Sequence, residues 1–287
     1  DESFARATGV SASLYNLLVA VLLMCCAYSP VLPAEHMPLL SLAGLAFPFV
    51  LAANGVFLFV WLLLYKPFML VSIVTLVICF SQIRAFVPIN IARQKPPVES
   101  FKLVSYNILS SNLKASTANR ENPLISYLEE CGADVICLQE FPFASLKSKG
   151  AEDLLAEYPY RSYQLSDLSE LKSHFLCCLS KYPILSVEKV DLNSTGNGCA
   201  RYQILHDADT IVIYNCHLQS NNLNAENKTT YEQLLSEPNK DKIKAEGTRE
   251  LVKKLREAAS KRAVQANAVL AEVRKESSPY VVVCGDF

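Results

Sequence analysis

The sequence predicts an α+β protein: a water-soluble domain with mixed sheets, preceded by three transmembrane helices. Two observations predict it. Residues 7–34, 36–65 and 67–83 contain no Asp, Glu, Lys or Arg, whereas charges are frequent after about Arg93. The N-terminal third is therefore patterned for lipid and the remainder for water. Beyond Arg93, short apolar runs rich in β-branched residues alternate with stretches of helical spacing. The runs do not read as uniformly parallel, so a mixed sheet arrangement is expected.

The 287 residues carry a net charge of −1, which gives no global basic field for a nucleic-acid partner. Ten cysteines are present. Cys25, Cys26 and Cys79 lie in apolar segments; Cys131, Cys137, Cys177, Cys178, Cys199, Cys216 and Cys284 lie in the soluble part. No CxxC pair or Cys/His cluster has zinc spacing, so they are read as buried free thiols.

In chain order, the membrane anchor is expected over residues 1–92, with spans at about 11–29, 38–64 and 67–87. Pro48 and Asn54 fall inside the second, and Trp61 with Tyr65 is expected in an interfacial aromatic belt. Residues 93–100, with Pro96-Pro97, read as an extended linker. The soluble domain is expected over 101–287. A strand from Phe101 runs into Asn107, a polar loop reaches Asn122, and a helix runs from Pro123 to Cys131 with Gly132 as its stop. Asp134-Val-Ile-Cys-Leu-Gln-Glu140 follows as a buried strand. Residues 143–157 read as helical, and Tyr158 to Tyr163 as an aromatic loop or cleft wall. His174 to Ser180 reads as a strand, then a hairpin spans 184–205 with Asn197-Gly198 as its turn signal. Thr210 to Cys216 is a strand running into His217. After a polar stretch to about Lys242, residues 245–276 form a long amphipathic helix, with Arg262 on its apolar stripe. A final strand, Tyr280 to Cys284, leads through Gly285 to Asp286. His174 and His206 are assigned structural or solvent-facing places.

Four strands thus end in Asn107, Glu140, His217 and Asp286. A carboxylate is accommodated at the end of a buried strand where it cannot be mid-strand. Each residue alone has an ordinary reading: a turn former, a surface acid, a core histidine, a turn aspartate. Together they compose a hard-cation site. Mg²⁺ takes oxygen ligands and keeps several waters, so one or two carboxylates suffice. An imidazole can donate to a phosphate or move a proton. The set suits metal-assisted hydrolysis of a phosphate ester.

Lys102-Leu-Val-Ser-Tyr-Asn107, Asp134 to Glu140, Asn215-Cys-His-Leu-Gln219 and Cys284-Gly-Asp-Phe287, together with Arg262-Ala-Val-Gln265, resemble the ordered motifs of the endonuclease/exonuclease/phosphatase superfamily. The three-span N-terminus resembles a membrane-anchored bacterial branch. The resemblance implies a DNase I-like, two-sheet αββα sandwich. It implies a Mg²⁺ cofactor, with Mn²⁺ as substitute, and Glu140 as the metal ligand. Asn107 would lie beside it, His217 would hydrogen-bond the scissile phosphate, and Asp286 would orient or activate the attacking water. The substrate it implies is a phosphoester: nucleic acid, phospholipid or a small molecule. The alternative is a non-catalytic membrane-anchored scaffold or binding protein of the same fold.

The sequence starts at Asp1 and ends at Phe287 directly after a strand. The resembled motif continues Gly-Asp-Phe-Asn, and the family carries a later Asp-His pair. The chain is therefore expected to be C-terminally truncated, incomplete as an enzyme and inactive by itself. An integral multi-pass membrane location is expected. Arg6 and Lys66 would share one side and Arg84, Arg93, Lys95 and Lys102 the other. Counting these favours a cytoplasmic domain, but charges leading into a large domain weigh less, and an extracytoplasmic domain is the orientation adopted.

Overall fold

The computed structural model describes residues 2–34, 36–64, 66–88, 100–108, 123–142, 151–165, 174–194, 197–221, 229 and 243–287. Most of the expected linker, the loop after Ile108, the first half of the helix expected over 143–157, and the polar stretch to Lys242 lie outside them. The chain divides into two compact units: residues 1–95 with 221–260, and residues 96–220 with 261–287.

In the first unit, α1 (Glu2–Tyr28), α2 (Pro38–Ser41), α3 (Phe47–Leu63), α4 (Met69–Ile78) and α5 (Phe80–Phe86) pack around Leu23, Cys26, Phe47 and Cys79. Two helical stretches, Ala12–Val31 and Leu42–Leu63, are long and apolar enough to cross a membrane. The third expected span is instead a helix pair bent by 68° at Cys79. Within it the Thr75 hydroxyl donates to Val71 O at 2.7 Å, a back-bond that competes with the helix ladder one turn before the break. Polar side chains share this interior with the apolar cluster, and many large apolar side chains face outward. Asn16, Asn54 and Ser72 are fully buried, while Leu14, Phe49 and Val77 are exposed. Asn16 ties α1 to α4 by donating to Phe68 O and accepting from the Ser72 hydroxyl. Trp61 departs from the expected aromatic belt: it is buried, with its ring 5.3 Å from that of Phe68. Tyr65 lies outside the described residues.

The second unit holds two four-stranded sheets. In the first, β1 (Leu103–Asn107), β2 (Val135–Pro142), β4 (His174–Ser180) and β3 (Tyr160–Leu165) lie in that order. In the second the order is β5 (Ile184–Val190), β6 (Gly198–His206), β7 (Asp209–His217) and β8 (Tyr280–Asp286). Each sheet has one parallel pair at its edge, β1 with β2 and β7 with β8. Parallel neighbours require a crossover, and helices supply both: α6 (Pro123–Cys131) and α8 (Ile243–Val273). Helix α7 (Ala151–Glu157) precedes β3.

Side-chain alternation builds the layers. On β2, Val135 and Cys137 pack with Ala200, Ile211 and Ile213 of the other sheet, while Ile136 and Leu138 pack with Ile125, Leu128 and Leu154 of α6 and α7. On β7, Val212, Tyr214 and Cys216 pack with Val269 of α8. The result is helix, sheet, sheet, helix. All ten cysteines are free thiols, eight of them buried; Cys199 and Cys216 face each other across β6 and β7 with sulfurs 3.3 Å apart.

Two elements differ from expectation. Residues 160–165 form a strand, with Tyr163 stacked on Phe141 and the Tyr158 hydroxyl donating to Ala133 O. The Asn197-Gly198 pair is not a turn: Gly198 opens β6 opposite His217, and the buried Asn197 amide donates to Leu218 O. His206 is structural as expected, packed edge-on against Phe101 and Tyr182.

The stretch after α8 is clasped to the second sheet by Arg201, whose guanidinium donates to Glu276 at 3.0 Å, and by the Tyr214 hydroxyl, which donates to the same carboxylate. These hydrogen bonds hold the Glu276 carboxyl below its ordinary 4.5. Its contribution to stability is therefore present above that value and is lost as pH falls through the lowered one. Glu276→Gln is expected to cost about 2 kcal/mol at pH 7. In thermal unfolding the gap from wild type should narrow below about pH 4; a gap independent of pH would show that the clasp carries no charge term.

Candidate functional site

The alternation that builds the inter-sheet core also builds its polar end. Leu103 on β1, Val135 and Cys137 on β2, Ile211 and Ile213 on β7, and Val282 and Cys284 on β8 fill the space between the sheets. One step further along the same rows come Ser105, Gln139 and Asn215. One step beyond Ser105, Asn215 and Cys284 come Asn107, His217 and Asp286. Three of the four predicted residues are thus the last inward-facing positions of their strands. Asn107 is registered opposite Gln139, and His217 opposite Asp286.

Glu140 is out of step with this pattern, because it follows the inward-facing Gln139 directly. The backbone corrects it. The β2–β4 register shifts between Leu138 and Phe141, and Glu140 sits at φ 54°. A bulge with a residue in the left-handed region re-aims one side chain at the cost of local strain. A second constraint acts at Gly285, at φ 138°, where an added Cβ would lie 1.9 Å from Cys216 O. Only glycine admits that approach of β8 to β7 just before Asp286.

The four residues meet. The Asn107 amide nitrogen donates to Glu140 Oε1 at 3.1 Å and to Asp286 Oδ2 at 2.8 Å. His217 Nε2 lies 3.5 Å from Glu140 Oε1. The His217 side chain is 8% exposed, and its Nδ1 is buried without a partner among the described residues. A proton on Nδ1 would be buried unpaired, so the neutral ring carries its proton on Nε2, toward the carboxylate.

Helix α8 supports the site from beside β7. Arg262 donates to Gln219 O at 2.8 Å, and Gln265 Oε1 accepts from Gln219 N at 2.8 Å. Gln265 Nε2 reaches Asn197 Oδ1 at 3.3 Å. Together they hold the strand exit that follows His217. Burial lowers the Arg262 pKa, and the Asp286 carboxylate partly restores it. Its hydrogen bond to Gln219 O holds the arginine against the segment that follows His217, so it does not snorkel at the stripe's edge.

The donor set fits a hard cation. Two carboxylates from different sheets converge on one neutral amide, an arrangement whose like-charge repulsion a divalent ion relieves. Among the described residues no group of three His, Cys, Asp or Glu is disposed to hold a metal, so a closed zinc-type cage does not form. Two carboxylates beside an amide offer the oxygen donors that a hard divalent cation takes. Sequence reasoning gave no role to Gln139 or Asn215, and read Asn197 as part of a turn. The available signal was a polar residue on the inward row of an otherwise apolar strand.

A family model described as Endonuclease/Exonuclease/phosphatase family matches residues 104–287. A second, described as a domain of unknown function (DUF8431), matches residues 11–86. No curated protein matches the chain. Among solved structures, D. rerio TDP2 complexed with a single-strand DNA product aligns at 19% identity, TM-score 0.35, over 48% of this chain and 55% of its own. ANGEL2, a 2',3'-cyclic phosphatase in complex with adenosine-2',3'-vanadate, aligns at 18% identity, TM-score 0.38, over 65% of this chain and 53% of its own. A family protein from Leptotrichia buccalis C-1013-b aligns at 16% identity, TM-score 0.30, over 50% and 63%. The chain spans a little over half the length of the first two.

Gly285→Ala is expected to destabilise the sheet domain by at least about 1–3 kcal/mol, from positive φ and the clash with Cys216 O. Chemical denaturation of the variant measures this. A stability equal to wild type would show that β8 does not approach β7 so closely.

Proposed function

Because the chain belongs to the endonuclease/exonuclease/phosphatase family, matched over residues 104–287, we propose that it is a metal-dependent phosphoester hydrolase anchored to a membrane by its N-terminal helices. The observation that carries the reading is the single Asn107 amide that donates to carboxylates of both sheets, with His217 beside one of them.

In this reading Glu140 is the principal holder of Mg²⁺ or Mn²⁺, with Asp286 and Asn107 at its side. The bound ion supplies charge stabilisation to the phosphate oxygens. His217 presents its Nε2–H to a non-bridging oxygen, where negative charge grows in the transition state. Asp286 orients the attacking water and accepts its proton. The water oxygen would form a new bond to phosphorus in line with the ester oxygen, whose bond to phosphorus breaks so that it departs with the electron pair as an alkoxide and takes a proton from solvent; no covalent enzyme intermediate forms. Asn107 keeps the two carboxylates in register throughout. Arg262 adds positive charge on the Asp286 side and steadies the segment after His217.

Membrane insertion is supported by the exposed apolar surface of the first unit. Buried Asn16 and Ser72 satisfy each other between helices while apolar side chains face outward. Three passes follow if the bent pair α4–α5 counts as one span.

Mn²⁺ binding, followed by the loss of the free-ion EPR signal, is expected for the wild-type chain. Glu140→Ala should weaken it at least about tenfold; unchanged affinity would remove Glu140 from the metal site. In the intact protein, chelator-sensitive hydrolysis is to be measured on a chromogenic diester, single-stranded DNA and sphingomyelin vesicles. His217→Ala should lower it by about 10²–10⁴-fold. A protein that binds Mn²⁺ yet hydrolyses none of the three would instead act as a non-catalytic binding module.

The anchor is tested separately. The protein is expected to stay with the membrane pellet through alkaline carbonate extraction, and release by carbonate would exclude spanning helices.

A further inference from the structure

We propose that the buried amide pair Gln139–Asn215 is a positioning layer that sets the separation of the two sheets at the site, and with it the spacing of Glu140 from Asp286 and His217. The proposal rests on the metal-dependent hydrolase reading above. Gln139 is 1% exposed and Asn215 is wholly buried. Two primary amides in that place carry a desolvation cost that an apolar pair would avoid.

Their hydrogen bonds show what the amides achieve. Gln139 Nε2 lies 2.7 Å from Asn215 Oδ1, 3.2 Å from Ser105 Oγ and 3.3 Å from Cys137 O. Asn215 Nδ2 donates to Leu138 O and Cys177 O, each at 3.3 Å. The pair therefore joins β1, β2 and β4 of one sheet to β7 of the other. Apolar faces can slide over one another at little cost, whereas directional bonds between buried groups permit one register only.

The covalent spacing turns that register into site geometry. Gln139 directly precedes Glu140. Ser105 is two residues before Asn107, and Asn215 is two before His217. Asn215 is also registered opposite Cys284, two residues before Asp286. Every predicted site residue is thus one or two residues from the layer or from its registered neighbour. The strained Glu140 backbone needs such support, because a bulge relaxes unless its surroundings over-determine it. Gln139 and Asn215 touch no reacting atom in this scheme. They act through Glu140 and His217.

The test uses the full chain in detergent, with Mn²⁺ as the probe and two readouts: the Mn²⁺ dissociation constant and the thermal midpoint without metal. Gln139→Met and Asn215→Leu keep side-chain volume and remove the bonds. Each is expected to weaken Mn²⁺ binding by about 10–100-fold, the effect of losing a group that orients a metal ligand. The double variant should bind no more weakly than the worse single one, since the pair works as a unit. Ser105→Ala removes one link and should give a smaller loss, which keeps the test available if a larger change prevents folding. Val135→Ala, in the apolar core between the same sheets, is the control for general destabilisation. If it weakens Mn²⁺ binding as much as Gln139→Met at a similar fall in midpoint, the amide layer is merely structural. If Glu140→Ala loses Mn²⁺ while Gln139→Met and Asn215→Leu bind as wild type, this inference falls and the site reading stands. If the wild-type chain does not bind Mn²⁺, both fall.

Discussion

Two sheets packed face to face share one inward row of side chains per strand, and that constraint governs the soluble unit. The row must be apolar where the sheets touch and can become polar only where the strands run out. Here the change occurs in steps: Cys137, Ile213 and Cys284, then Ser105, Gln139 and Asn215, then Asn107, His217 and Asp286. A cluster of hydrophilic groups at the sheet edge is therefore the termination of the core. Its members are held by the same packing that stabilises the fold.

Two unusual backbone conformations lie beside that edge. Glu140 adopts a left-handed backbone at a register shift, and Gly285 brings β8 against Cys216. Both features aim a carboxylate from opposite sheets at the Asn107 amide. Unfavourable φ values persist only where neighbours over-determine them. The buried amide pair lies on one side of these residues and the α8 contacts to Gln219 on the other.

The two units differ in what they bury and in what they expose. In the sheet unit the buried residues are mainly aliphatic, aromatic and thiol groups, and the buried amides Gln139 and Asn215 are hydrogen-bonded to each other across the sheets. In the helical unit the buried positions include Asn16, Asn54 and Ser72, and bulky apolar side chains face outward.

The sequence by itself determined the elements and the candidate residues. Uncharged runs marked the helical third. Alternation and apolar runs marked the strands. Strand-terminal placement singled out Asn107, Glu140, His217 and Asp286, which the fold then brought into hydrogen-bonding reach. These are local properties, fixed by hydropathy period and by where a carboxylate can be solvated. Only the tertiary structure decided the rest. Gln139 and Asn215 look like ordinary strand residues until two sheets face each other. Asn197 reads as a turn former until Leu218 O is placed beside it. Arg262 is ambiguous until β7 ends next to α8. The burial of Trp61 depends on helices packing together. In each case the deciding partner is distant in sequence, and no local period records a contact between residues whose separation is set by folding.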